Sequence, residues 1–162
     1  MRFEPPAKRW QTPKWDKRFH ELANHVANWS KDPSTKVGAV VSGLDKVDVA
    51  LGYNGFPPRI KDDDRLLKRE KKYNLIIHAE ENALANARFD VRGATIYSTH
   101  FPCVNCSKSI IARGLSYVAA PKPGADYLSR WEKEIRESKK MFKEAGVKII
   151  WLRSLPKKKR AP

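Results

Sequence analysis

An α/β fold, a three-layer α/β/α sandwich around a mixed sheet of about five strands, is what the sequence predicts. Three observations lead there. Apolar residues switch between the two-residue period of strands and the wider period of helices along the chain. A short apolar run, a turn-rich tetrapeptide and an alternating run follow one another, which describes a hairpin. Further on, strand, helix and strand succeed each other twice, which requires parallel crossovers and a sheet covered on both faces.

The elements follow in order. Residues 1–14 hold three of the eleven prolines and little periodicity, so they read as an arm. From about Lys17 to Ser30, Phe19, Leu22, Ala23, Val26 and Ala27 form an apolar stripe at helical spacing. Val37 to Val41 is a short apolar strand, Gly43-Leu44-Asp45-Lys46 a turn, and Val47, Val49 and Leu51 alternate toward Tyr53 as the second arm of the hairpin. Asp62 to Tyr73 is highly charged and reads as helical. Leu75-Ile76-Ile77 leads into His78, after which Ala79, Ala83, Leu84 and Ala87 recur at helical spacing. Ala94–Ser98 and Ser116–Ala120 are strands flanking a helix that carries Cys103, Cys106, Ile110 and Ile111. Leu128, Trp131, Ile135, Phe142 and Ala145 mark a last amphipathic helix, Gly146 its natural stop, and Val147–Leu152 the fifth strand. No internal repeat is visible.

At 162 residues and 41% apolar content the chain suits one domain with one buried core. We divide it into a basic N-terminal arm at 1–16, a folded domain at 17–152 and a basic C-terminal tail at 153–162. No apolar run approaches the roughly 20 residues that span a bilayer, and the first residues lack a signal-peptide core, so a cytoplasmic location without membrane contact is expected. Two cysteines make no disulfide framework, as suits a reducing compartment. The formal net charge is +15. Six basic and two acidic side chains in residues 1–18, with four basic ones at Lys157–Arg160, give the ends a net +8 of that total. Such ends are read first as solvated arms. Nucleic-acid contact through them is the competing reading, and Lys157–Arg160 also resembles a nuclear localisation patch.

Chemistry concentrates in His78-Ala79-Glu80 and in Pro102-Cys103-Val104-Asn105-Cys106. Together they supply an imidazole, two thiolates and a carboxylate that need not ligate, which suits a catalytic zinc with one open position. The spacing opens two helices at these residues, and their positive ends favour the thiolate form. Alone, C-x-x-C fits a redox pair and a histidine fits a core position. A structural zinc would need a fourth ligand, for which His100 is the one candidate.

H-x-E followed by P-C-x-x-C marks the zinc nucleobase deaminases. On these motifs, with Ser30-Lys31-Asp32-Pro33-Ser34-Thr35-Lys36-Val37-Gly38-Ala39, Gly52-Tyr53-Asn54-Gly55-Phe56-Pro57 and Glu144-Ala145-Gly146-Val147, the chain resembles the cytidine deaminase-like superfamily and, within it, the deoxycytidylate (dCMP) deaminases. The resemblance covers roughly residues 17–152. Free-cytidine deaminases usually have cysteine at the histidine position, and tRNA adenosine deaminases carry Met and Gly around the second cysteine. Here the metal-binding position is His78 and the second cysteine stands in Asn105-Cys106-Ser107-Lys108, so neither rival fits as well.

The resemblance implies hydrolysis of dCMP to dUMP and ammonia. It makes His78, Cys103 and Cys106 the ligands of one Zn2+ per chain and Glu80 the proton carrier. It also implies that the Ala79 backbone N–H meets the pyrimidine O2 and that Asn54 contacts the sugar, although Asn54-Gly55 is equally a turn dipeptide. Ser34, Thr35 and Lys36 fall near the phosphate, with Lys36 the first cation and Arg88, Arg130 and Tyr127 weaker candidates. Members assemble, often as hexamers, and some respond to dCTP and dTTP. Some carry a second zinc between G-Y-N-G and H-A-E, but residues 58–77 contain no Cys or His. The alternatives are a deaminase acting on cytosine or adenine within single-stranded nucleic acid or tRNA, and a non-catalytic zinc-stabilised nucleic-acid binding module. The first would want aromatic stacking platforms, and most of the five tryptophans fall on faces that core packing explains. The second would lack a general base.

Overall fold

The structure, a computed structural model, describes residues 12–153. The basic extremes of both terminal arms, Lys157–Arg160 included, lie outside the described residues. Five strands form one sheet in the order β2-β1-β3-β4-β5. β1 (Gly38–Ser42) pairs antiparallel with β2 (Val49–Tyr53) through the expected hairpin and antiparallel with β3 (Thr95–Ser98) on its other side. β3, β4 (Tyr117–Pro121) and β5 (Lys148–Leu152) run parallel. The sheet is therefore mixed, as predicted.

Alternation along β1 separates two apolar layers. Val40 joins Tyr97 of β3 and Ala119 of β4 under Phe19 and Ala23 of α1 (Pro13–Ala27). Ala39 and Val41 face the other way, into the larger core with Ile96, Val118, Ala83, Ile110 and Phe142. That second face is covered by α3 (Ala79–Asn86), α4 (Val104–Ala112) and α5 (Ala125–Ala145). The three-layer arrangement follows from two-sided burial of the inner strands.

α1 begins at Pro13, so its first turn takes in residues that the proline count assigned to the arm. Proline at the first helical position loses no hydrogen bond, which is why it starts a helix here rather than excluding one. Asp16 is anchored by the Tyr97 hydroxyl, which donates to its Oδ1 at 2.8 Å. The charged segment 62–73 is not one helix: a 3-10 turn at Asp64–Leu67 ends at Lys68, whose extended backbone (φ −97°, ψ 101°) separates it from α2 (Arg69–Leu75). α5 is kinked at Trp131 (φ −127°, ψ 16°) and closes on Gly146 in the left-handed region at φ 74°.

The seating of α3 positions the site. A Cβ on Gly52 would lie 2.2 Å from the Ala83 nitrogen and 2.3 Å from the Ala79 oxygen, so only glycine lets β2 come this close to the helix. Asn82 Nδ2 and Asn86 Nδ2 donate to the Tyr53 and Leu51 carbonyls at 2.8 and 2.9 Å, tying successive turns of α3 to the edge strand.

Candidate active site

His78 and Cys103 occupy equivalent places, each the residue before the first turn of a helix, α3 and α4. Cys106 lies one turn into α4, where it is fully buried. Crossover connections bring both helix starts to the same end of the sheet. His78 Nδ1 lies 3.5 Å from Cys103 Sγ and 3.3 Å from Cys106 Sγ, and the ligand atoms of all three lie within 4.8 Å of one another. Tetrahedral zinc with bonds of about 2.0–2.1 Å to nitrogen and 2.3 Å to sulfur would place nitrogen and sulfur roughly 3.6 Å apart. The donor set fits such an ion in both spacing and chemistry.

His100 does not join it. Its Nδ1 contacts Thr99 Oγ1 at 3.2 Å, and its ring packs 5.7 Å from Tyr127; among the described residues the donor group is His78, Cys103 and Cys106. Burial pushes the His100 pKa below its ordinary value. Three protein donors leave one position of a tetrahedral ion open, the arrangement of a catalytic rather than a structural zinc.

The electrostatics are those of a site built for a cation. A hydrogen bond from Cys106, assisted by His78, holds the Cys103 thiol down to about 4. The hydrogen bond with Cys103 raises His78 to about 9. Cys106, whose thiol donates a hydrogen bond to Cys103 in a buried setting, is pushed up. Without metal the trio thus pairs a thiolate with an imidazolium and keeps one thiol. Glu80 is 4% exposed, and desolvation raises its pKa against hydrogen bonds that favour the charged form. Ser98 Oγ donates to Glu80 Oε1 at 2.9 Å, and Glu80 Oε2 lies 3.5 Å from Cys106 Sγ.

The loop between α1 and β1 is held by a buried hub. Asp32 Oδ1 accepts from the Ser34 and Thr35 backbone N–H groups at 2.7 and 3.2 Å and from Lys72 Nζ at 3.1 Å. Lys72 Nζ also donates to Ser34 Oγ at 3.2 Å. Asn54, 6% exposed, donates through Nδ2 to the Thr35 carbonyl and, at 3.4 Å, to Asp32 Oδ2, while its Oδ1 accepts from the Val37 N–H. Asn54 is therefore a structural brace as well as a candidate contact. Ser34, Thr35 and Lys36 are exposed on this loop. Arg88 and Arg130 are exposed on the surface, with Arg130 Nε on the Asp126 carbonyl. Tyr127 is half-buried, its hydroxyl donating to the Phe101 carbonyl at 3.4 Å. Its pKa is raised by burial and by the charges of Glu80 and Cys103, so it borders the site.

Lys72, Asp32 and Ser98 were not singled out by sequence reasoning. A cavity of about 290 Å3 borders His78, lined by Tyr73, Ile76, Glu81, Asn105, Lys108 and Ser109. Neither Glu80 nor Asn54 is among the residues that line it. Among the tryptophans, Trp15 and Trp131 pack on the two cores as expected. Trp29 does not: it is 48% exposed, edge-on to Tyr53. Trp10 lies outside the described residues.

Residues 13–120 match the profile of the cytidine and deoxycytidylate deaminase zinc-binding region. The chain belongs to that family. The matched span contains all three metal donors and Glu80, and the family trait of zinc binding agrees with the donor geometry. Relatives of this deaminase-family chain include an uncharacterized deaminase in the luxG 3' region of Aliivibrio fischeri, 47% identical over 139 residues, covering 86% of this chain and 94% of the relative. A probable deoxycytidylate deaminase of Drosophila melanogaster is 35% identical over 160 residues, covering 90% and 74%. In fold the chain is similar to the dCMP deaminase of cyanophage S-TIM5 solved with dCMP and dUMP: TM-score 0.71, 23% identity, 88% of this chain and 99% of that one. Among the described residues no helix is long and apolar enough to cross a membrane.

Proposed function

We propose that the chain hydrolyses dCMP to dUMP, with water as co-substrate and ammonia as product. One observation carries the reading: an open group of three metal donors stands beside a buried, non-ligating glutamate whose Oε2 lies 3.5 Å from Cys106 Sγ. The names of the relatives, deoxycytidylate deaminase among them, supply the substrate.

His78 Nδ1, Cys103 Sγ and Cys106 Sγ would hold one zinc ion per chain. When bound, it lowers the pKa of a water molecule from 15.7 to about 7 and so supplies a nucleophile at neutral pH. Glu80 takes the proton that this water gives up and delivers it to N3 of the cytosine ring as the oxygen adds to C4. Glu80 then takes the second proton from the oxygen now on C4 and passes it to the departing amino nitrogen, so that ammonia leaves and the C4 carbonyl forms. Burial suits Glu80 to this exchange, because desolvation brings its proton affinity toward that of its partners. The Ala79 N–H, at the first position of α3, has no helical carbonyl four residues back and serves as donor to the pyrimidine O2. Asn54 Oδ1 has a second lone pair to offer the sugar hydroxyl. The phosphate is held by Lys36 with Ser34 and Thr35.

The same reading makes the enzyme a cytoplasmic homo-oligomer, hexameric and responsive to dCTP and dTTP as some members of the family are. Exposed Leu67, Tyr73 and Trp29 support burial against another copy.

The test is ammonia release from cytidine, deoxycytidine, dCMP, 5-methyl-dCMP, 5-hydroxymethyl-dCMP, dCTP and a cytosine-containing oligonucleotide. Preference for dCMP over deoxycytidine supports the proposal. Activity confined to the oligonucleotide overturns it.

A further inference from the structure

Ser98 is the last residue of β3, the central strand of the sheet, and is fully buried. Pairing with β1 on one side and β4 on the other fixes the strand, and Ser98 itself sits opposite Ala39. Its Oγ is 2.9 Å from Glu80 Oε1, while the other oxygen, Oε2, lies 3.5 Å from Cys106 Sγ. The two oxygens of one carboxylate thus have different neighbours. The last torsion of a glutamate is broad and two-fold, so nothing intrinsic to Glu80 decides which oxygen faces the metal donors. A hydroxyl has one proton to give, and among the described residues the acceptor its contacts offer is Glu80: the other close group, the His100 N–H at 3.5 Å, is itself a donor. The serine proton is therefore directed to the carboxylate.

We infer that Ser98 is a positioning residue for the reaction: its hydroxyl holds Glu80 Oε1 against the sheet and thereby presents Oε2 to the metal donors and to the reacting water and ring. The inference rests on the proposed function only in giving Glu80 the proton. A carboxylate free to turn would spend most of its time with neither oxygen aligned for transfer, and alignment is what a general base needs first.

Threonine and valine separate the hydroxyl from the space it fills, since they have nearly the same shape and differ in that group alone; alanine removes the hydroxyl without adding volume. Zinc-loaded, full-length Ser98→Thr, Ser98→Val and Ser98→Ala are compared with the unchanged chain by metal analysis, steady-state kinetics and crystallography. Ser98→Val and Ser98→Ala are expected to lose about 10- to 100-fold in kcat, the size of a hydrogen bond to a charged group. KM should stay within about twofold and zinc at one per chain, with Glu80 turned in the crystal. Ser98→Thr is expected to keep kcat within about threefold and Glu80 in place. Equal kcat in the threonine and valine variants, or a loss that tracks zinc content or KM instead of kcat, overturns the role. If the unchanged chain deaminates no cytosine nucleotide, the proposed function fails separately. The crystals still decide Ser98: Glu80 unmoved in Ser98→Val and Ser98→Ala overturns the inference, and Glu80 turned there but not in Ser98→Thr supports it.

Discussion

Replacing Lys72 with methionine removes an ammonium from the interior while keeping most of the side-chain volume. Lys72 and Asp32 are 7% and 5% exposed at their side chains and 3.1 Å apart. They join α2 to the loop before β1 across 40 residues of sequence. Taking away one partner of such a pair strands the other charge, at a cost of about 3–5 kcal/mol. Asp32 keeps the Ser34 and Thr35 N–H groups, so the lower end, about 3 kcal/mol, is expected. With a urea m-value of about 2 kcal/mol/M, the unfolding midpoint falls by roughly 1.5 M at unchanged slope. Adding Asp32→Asn to Lys72→Met removes the stranded charge and should restore about 1–2 kcal/mol, giving a coupling that a double-mutant cycle measures directly. A midpoint for Lys72→Met within about 0.5 M of the unchanged chain would refute the hub.

Other consequences can be tested alongside. Gly52→Ala puts a Cβ 2.2 Å from the Ala83 nitrogen and must push α3 outward. Overpacking of this kind costs about 1–3 kcal/mol, and displacing His78 and Glu80 by about 1 Å should lower kcat/KM on the order of 100-fold. Unchanged kinetics would show that α3 is not set by this contact. Zinc binding at pH 7 should release about two protons, because His78, held at about 9, is then an imidazolium and Cys106 a thiol, while Cys103, at about 4, is already a thiolate. Affinity then rises roughly a hundredfold per pH unit around neutrality. Calorimetry in buffers of different ionisation enthalpy counts these protons, and a value near zero contradicts the charge assignment. His20 is buried, its Nδ1 without a hydrogen-bond partner among the described residues, and desolvation lowers its pKa. A lowered pKa makes the neutral form the native one, so its share of stability is complete above the ordinary value of about 6.5 and is lost as pH falls through the folded-state value. His20→Gln should therefore flatten the acid limb of stability against pH, and an unaltered limb would exclude His20 as its source.

Much of this site could be read from residue order because its parts are signalled locally. His78 and the cysteine pair announce themselves by type, and the apolar spacing behind each places both at helix starts, where the structure has them. The strands lie within a residue or two of the expected runs because alternation survives wherever one sheet face differs from the other. What escaped was decided over distance. Lys72 sits among charged neighbours, Arg69, Glu70 and Lys71, and nothing in their order tells which one turns inward; Asp32, its partner, is 40 positions away. Ser98 ends a strand as many serines do, and its partner Glu80 arrives from another helix. The break at Lys68 and the kink at Trp131 interrupt patterns that remain continuous in residue type. Proline marks loops on average, which assigns Pro13 to the arm by residue type, yet at a helix start it is favourable.

The claim at the centre is that Glu80 moves the proton at an open three-donor zinc site. Glu80→Gln keeps the shape and the metal donors and removes only the capacity to accept that proton. Metal analysis paired with ammonia release from dCMP should find one zinc per chain in both proteins and a loss of kcat of about 100-fold or more in the variant. Full zinc occupancy with near-normal turnover would contradict the account.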